Sequence, residues 1–203
     1  MTKGIEIKTT DTTYRPAEDT YLAIKSIENV VAHSKPKMTV LDMGTGSGIL
    51  GIRAAISSMV DNVIFADINP EAVSLARYNV GLNRGKIRAA CSFIQTDLFS
   101  NISGEFDLII FNAPYLIHGE KDTDLLSKAW DGGPSGVEVS ISFLEQAKHH
   151  LNSYGRIILV ASSHSDLRKL ERAIKELGYV VERQGKEHVS FEDIISFELC
   201  MKA

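Results

Sequence analysis

Asn112-Ala113-Pro114-Tyr115 is the stretch of this chain whose residue types could do chemistry. It follows Phe106-Asp107-Leu108-Ile109-Ile110-Phe111, a run apolar enough for a central buried strand. At the end of such a strand, the Asn112 side-chain oxygen and the Ala113 carbonyl can act as paired acceptors. Two acceptors can hold both N–H bonds of one planar nitrogen. Pro114 restricts the backbone that carries them, and Tyr115 can pack against the planar group. The lone pair of an amide or aromatic amino nitrogen is delocalised, so alkylating it demands alignment with an electrophilic carbon. Positioning then outweighs acid–base work. No catalytic histidine is expected, since His33, His118, His149, His150, His164 and His188 form no ligand-like pattern. The plainer alternative is a strand-ending turn, where Asn and Pro are common.

A donor needs its own cradle, and Asp42-Met43-Gly44-Thr45-Gly46-Ser47-Gly48 offers one. A β-branched strand leads into the glycines, and an apolar, helix-compatible run follows from Ile49 to about Met59. Gly44 and Gly46 let a ligand approach bare backbone. The spacing is D-x-G-x-G-x-G rather than the pyrophosphate-binding G-x-G-x-x-G. It resembles the S-adenosylmethionine (SAM) turn of Rossmann-like methyltransferases. A dinucleotide turn and a merely tight turn are the alternatives. Asp67, 25 residues after Asp42, ends the next strand, Val63–Asp67. It can accept from both ribose hydroxyls of such a cofactor, or else cap the helix after it. Asp97 ends the third strand and can accept from an adenine amine, with Leu98 beside the ring.

The elements that must position these residues alternate along the chain. Strands are expected at 38–43, 63–67, 91–95, 106–111 and 156–161. Helices are expected from the Pro16 region to about Ala32, over 70–79, 137–151 and 166–177, in addition to the one after the glycines. Tyr179–Glu182 and Ile194–Met201 close the chain as two strands. This order argues a doubly wound α/β fold: a mostly parallel seven-stranded sheet with helices on both faces and an antiparallel strand in the terminal pair. Ligands of such sheets bind at the carboxyl ends of the strands. That places Asp42, Asp67, Asp97 and Asn112 along one edge. The segment 116–136 has no periodicity and holds the only tryptophan, Trp130, which either anchors the loop or serves the site. Glu18 and Asp19 suit the positive end of a helix.

With 203 residues and 44% hydrophobic content, one domain over 1–203 with a sizeable core is expected, residues 1–13 being a flexible arm. No run reaches membrane-spanning length and no secretory signal pattern is present, so a soluble, cytoplasmic protein is expected. The net charge of −4 gives no general attraction to nucleic acid. Cys91 and Cys200 have no zinc-like spacing, and no metal site is expected.

Five segments together carry a further resemblance: Tyr14-Arg15-Pro16-Ala17-Glu18-Asp19-Thr20, the glycine turn, Asp67-Ile68-Asn69-Pro70, Asn112-Ala113-Pro114-Tyr115 and Trp130-Asp131-Gly132-Gly133. The chain resembles the HemK-related glutamine methyltransferases, in particular the short archaeal and eukaryotic branch that lacks the bacterial N-terminal helical domain. The resemblance implies SAM as cofactor, held by Thr20, Asp42, Gly44, Gly46, Asp67, Asp97 and Leu98, with Asn112 close to its methyl group. It implies Asn112, Pro114 and Tyr115 as catalytic residues. Asn112, Ala113, Pro114, Tyr115 and Trp130 would grip the acceptor: the glutamine amide in the Gly-Gly-Gln loop of a class 1 translation release factor. A small zinc-binding activator subunit is implied as a partner, with the third strand as its docking place if that strand lies at an edge. The family usually has proline where Ala113 stands. The carbonyl acceptor survives that change, though the loop loses stiffness. Two other functions remain open from the residues: an RNA or DNA amino-group methyltransferase, and a non-catalytic SAM-binding subunit.

Overall fold

The computed structural model describes residues 4–11, 13–115 and 132–202; Trp130, His118 and the rest of 116–131 lie outside the described residues. Seven strands form one sheet: β1 (Met38–Met43), β2 (Val60–Asp67), β3 (Ala90–Gln95), β4 (Phe106–Asn112), β5 (Leu151–Ser162), β6 (Tyr179–Val189) and β7 (Glu192–Met201). Their spatial order is β3-β2-β1-β4-β5-β7-β6. Neighbours from β3 to β5 pair in parallel, and β7 runs antiparallel to both β5 and β6. The helices are α1 (Glu18–Ala32), α2 (Ile49–Ala55), α3 (Pro70–Leu82), α4 (Glu138–Ala147) and α5 (Leu167–Glu176).

The two-residue period of the central strands divides the core. Val40, Leu108, Ile110, Ile158 and Val160 face one way and pack with buried residues of α1, α2 and α3. Leu41, Met43, Ile109, Phe111, Ile157 and Leu159 face the other way, against α4 and α5. Being covered on both sides, β1 and β4 tolerate few polar residues, and those they have stand near their ends. The chain runs from β1 outward through β2 and β3, then returns to place β4 on the other side of β1. That reversal opens a crevice at the carboxyl ends of β1 and β4, where Met43 and Phe111 lie side by side.

Several boundaries differ from the sequence expectation. The helix after the glycines stops at Ala55 rather than near Met59. The Ala55 carbonyl instead accepts from the N–H groups of Arg88 (2.9 Å) and Ala89 (3.1 Å), so the chain entering β3 terminates the helix. The helix expected to reach Leu151 ends at Ala147, because Leu151 already pairs with Phe106 as the first residue of β5. β6 extends to Val189, well past Glu182. The expected flexible arm is fastened over its described residues. Asn83 receives the Glu6 N–H and donates to its carbonyl (3.0 and 2.7 Å), and Asn79 does the same for Lys8 (2.9 and 2.9 Å). Two buried amides, Asn79 on α3 and Asn83 at its C-terminal cap, thus imitate a sheet ladder, and Ile5 and Ile7 pack on the core beside them. Cys91 and Cys200 are free and half-buried, and Cys91 packs against the edge of the core. Among the described residues, no helix is long and apolar enough to cross a membrane.

Candidate active site

The glycine turn is held by carboxylates beneath it. Asp42, at 1% exposure, uses Oδ2 to accept from the Thr45 hydroxyl (2.6 Å) and the Gly51 N–H (2.9 Å). Burial pushes its carboxyl up to about 7, against the hydrogen bonds from Thr45 and Gly51. Asp42 is not among the residues lining the crevice, so it acts on the turn rather than on the open space. Gly51 is required for this brace: a Cβ there would meet the Phe65 ring at 2.4 Å and Asp42 Oδ2 at 2.8 Å. Gly48, at φ +82°, has the Ala76 backbone 3.0 Å from where a Cβ would stand, so α2 begins tightly against α3.

Asp67 closes the turn from the neighbouring strand. Its Oδ2 accepts from the Gly46 N–H and its Oδ1 from the Asn69 N–H, both at 2.9 Å. Burial raises its carboxyl above the usual range. The capping alternative falls to Asn69, whose side chain accepts from the Glu71 N–H at the start of α3. Asp97 is exposed at the rim. Leu98 stands next to it at φ +45°, its carbonyl bonded by the Thr96 hydroxyl at 3.0 Å.

The tetrapeptide leaves β4 on the opposite wall. Asn112 Nδ2 donates to Asp19 Oδ2 at 2.9 Å, and the Tyr115 hydroxyl donates to the same oxygen at 3.3 Å. Asp19 Oδ1 accepts from the Thr20 N–H (2.6 Å) and the Thr20 hydroxyl (3.2 Å). Tyr14 joins this group through Asp19 and Tyr115; burial first, then the Asp19 charge, raises both phenols well above their ordinary range. Asn112 Oδ1 is buried and has no hydrogen-bond partner among the described residues. A buried carbonyl oxygen without a partner carries a desolvation cost of about 1–3 kcal/mol, which an incoming N–H would remove.

The glycine-rich turn at 132–136 presses on the same backbone. A Cβ on Gly132 would lie 2.8 Å from the Pro114 carbonyl oxygen, and one on Gly136 would lie 2.7 Å from that of Tyr115. Glu138 staples this turn, accepting from the Ser135 N–H (3.0 Å), the Ser135 hydroxyl (2.5 Å) and Lys169 Nζ (2.6 Å). Burial works to raise the Glu138 carboxyl, but these bonds together bring it down to about 2.

Between the two walls lies a cavity of about 690 Å³, lined among others by Thr20, Gly44, Gly46, Asp67, Asp97, Leu98, Asn112, Ala113, Pro114 and Tyr115. Of the site residues expected from the sequence, Asp42 stands behind the lining and Trp130 lies outside the described residues. The lining also contains Tyr14, Asp19, Phe111 and Glu192, none of which sequence reasoning had assigned to the site. Asp19 and Tyr14 had a signal, since both belong to the Tyr14–Thr20 segment. Glu192 had none, because only the β6–β7 pairing brings it there. Five carboxyl side chains line the cavity, at positions 19, 67, 97, 138 and 192, and no Lys, Arg or His does so among the described residues. Such a wall attracts cations and repels phosphates. Among the described residues, no group of His, Cys, Asp and Glu is arranged to hold a metal ion.

Residues 24–188 match the family described as the methyltransferase small domain. The chain belongs to the methyltransferase small domain family. The methyltransferase is 34% identical, over 95% of its length and 94% of the relative's, to a protein of Methanocaldococcus jannaschii named for protein N5-glutamine methyltransferase activity. It is 28% identical to mouse Methyltransferase HEMK2, covering 81% of this chain and 78% of that one. Among solved structures it resembles a ribosomal protein L11 methylase of Lactobacillus delbrueckii, with TM-score 0.70, 28% identity and coverage of 94% and 82%. It shares its fold with the Mtq2–Trm112 complex of E. cuniculi, responsible for methylating the termination factor eRF1, at TM-score 0.70, 22% identity and coverage of 94% and 99%.

Proposed function

We propose that this methyltransferase uses SAM to methylate the side-chain amide of the glutamine in the Gly-Gly-Gln loop of a class 1 release factor. The observation that carries the reading is the buried, unpartnered Asn112 Oδ1, beside a tetrapeptide whose Asn112 nitrogen is already bonded to Asp19. An amide nitrogen brings two N–H bonds, one for that oxygen and one for the Ala113 carbonyl. Tyr115, tied to Asp19 through its hydroxyl, offers its ring to the flat side of the amide. These contacts fix the nitrogen's direction, and orientation of this kind can remove a large part of the barrier for a weak nucleophile.

The cofactor supplies a methyl group on a positively charged sulfur. The residues present fit it: the cavity wall is acidic, Asp67 and Asp97 stand at strand ends for ribose hydroxyls and the adenine amine, and Leu98 offers an apolar surface for the ring. Thr20, Gly44 and Gly46 complete the cradle, and Asp42 serves it by bracing the turn. A dinucleotide pyrophosphate meets no cationic side chain here among the described residues. The same argument weighs against a nucleic-acid acceptor, whose phosphates need cations around the site. The relatives' names point to protein glutamine. With a release factor as substrate, the work is cytoplasmic. A small zinc-binding activator remains part of the proposal. β3 is an edge strand with half-buried Cys91, Phe93 and Ile94, and the fold neighbour from E. cuniculi carries Trm112.

The test is incubation with labelled SAM and three acceptors: a class 1 release factor, its Gln→Ala variant in the Gly-Gly-Gln loop, and ribosomal RNA. The expected result is label on the unaltered factor alone. Label on RNA, or equal label on both forms of the factor, overturns the proposal.

A further inference from the structure

Asp19 lies on α1, 93 residues from Asn112, and is 2% exposed. An asparagine side chain can turn over about its last torsion, exchanging oxygen and nitrogen with almost no change of shape. Nothing in Asn112 itself decides which of them faces the cavity. Asp19 does decide it, because a carboxylate only accepts. With Nδ2 turned toward α1, Asn112 donates to Asp19 Oδ2 at 2.9 Å, and its oxygen is left buried and without a partner among the described residues, on a side chain that lines the cavity. With the amide reversed, two oxygens would face each other at that distance with no proton between them. We infer that Asp19 is the positioning residue that aims the Asn112 carbonyl at the acceptor, so that the site selects a nitrogen that donates. The inference rests on the proposed methylation of an amide nitrogen and adds the residue that gives Asn112 its direction.

The environment of Asp19 makes the idea testable by a near-isosteric change. Its Oδ1 accepts from the Thr20 N–H at 2.6 Å, so any side chain there must keep an oxygen on that side. In Asp19→Asn the new nitrogen therefore takes the place of Oδ2 and points at Asn112 and Tyr115. It donates, so the Asn112 amide turns its oxygen inward and presents its nitrogen to the cavity. The acceptor is then not weakened but reversed. Asp19→Asn combined with Asn112→Asp restores the pattern. The carboxylate introduced on β4 accepts from the amide introduced on α1 with one oxygen and keeps the other for the cavity.

Two readouts are taken on the full-length protein. The first is hydrogen exchange of the Asn112 side-chain amide by NMR, which needs neither cofactor nor acceptor. It is slow in the unaltered protein and at least tenfold faster in Asp19→Asn. The second is methyl transfer. Asp19→Asn lowers kcat/KM about a hundredfold while binding of a SAM analogue stays within threefold, and the double variant recovers at least tenfold. Unchanged exchange in Asp19→Asn, or a double variant no better than Asn112→Asp alone, overturns the inference. If Asp19→Asn does not fold, the comparison of the double variant with Asn112→Asp decides it. If the unaltered protein labels some acceptor other than the glutamine loop, the proposed substrate falls, and the exchange experiment still judges Asp19.

Discussion

Replacing Asn112 by alanine should separate activity from stability, and the structure gives the size of each effect. For stability, two terms oppose one another. Loss of Nδ2 takes one hydrogen bond from Asp19, a buried charged acceptor, at about 1.5–3 kcal/mol. Loss of Oδ1 removes a buried oxygen with no partner, relieving about 1–3 kcal/mol. Taken at the middle of those ranges the two nearly cancel, leaving about 1 kcal/mol or less, which for a chain of this length moves Tm by at most ~2–4 °C. For catalysis nothing offsets the loss, because in the proposed reaction the removed oxygen is the acceptor for the reacting nitrogen. Deleting one preorganised hydrogen-bonding group at a reaction centre typically costs about 10²–10³ in kcat. Calorimetry gives the first quantity, and single-turnover transfer of labelled methyl at saturating SAM gives the second. A Tm loss above about 10 °C, several times the shift expected here, with the transfer rate per folded molecule unchanged would refute the reasoning, since Asn112 would then be a structural tie and its bare oxygen irrelevant.

Gly51→Ala should fold less stably by about 1–3 kcal/mol, as expected for overpacking, because its Cβ overlaps Phe65 and Asp42; calorimetry checks this, and titration with a SAM analogue should show weaker binding as the Asp42 brace loosens. Asn79→Ala removes the bonds to the Lys8 N–H and carbonyl and to the Ser47 carbonyl. Limited proteolysis should then cut near Lys8 at least tenfold faster, with SAM-analogue affinity reduced through the freed Ser47. Glu138 is depressed to about 2 in the folded protein, against an ordinary 4.5. Its contribution to stability is complete above that ordinary value and is lost as pH falls from 4.5 toward 2. Urea midpoints over that range should fall less steeply in Glu138→Gln. Asp42 has the opposite sign: raised from 3.8 to about 7, it binds more protons folded than unfolded. Stability drawn from it declines as pH rises between those values, and Asp42→Asn should flatten that slope in the same assay.

The Asn112–Tyr115 clasp, the glycine turn and the acids at 67 and 97 were legible because each depends on neighbours within one strand end. Residue type and spacing specify such local geometry, and the two-residue apolar period of β1 and β4 specifies that both are buried. Helix ends were less legible, since Ala55 and Ala147 are stopped by strands arriving from elsewhere in the chain. The role of Asp42 was half legible: its place before the glycines was clear, but its direction away from the open cavity came from the packing of Gly51 and Phe65.

Residue types and spacing alone told which strands end in acids, where a backbone could lie bare to a ligand, and that Asn112–Tyr115 leaves β4 at the sheet's carboxyl edge. It takes the packed molecule to set Asp19 of α1 against Asn112, to bring Glu192 from β7, and to tie Glu6 and Lys8 to Asn83 and Asn79. The reason is range. Hydrophobic period and turn chemistry act over a few residues. The orientation of one amide depends on a charge 93 residues away, brought near only when the sheet and its helices pack.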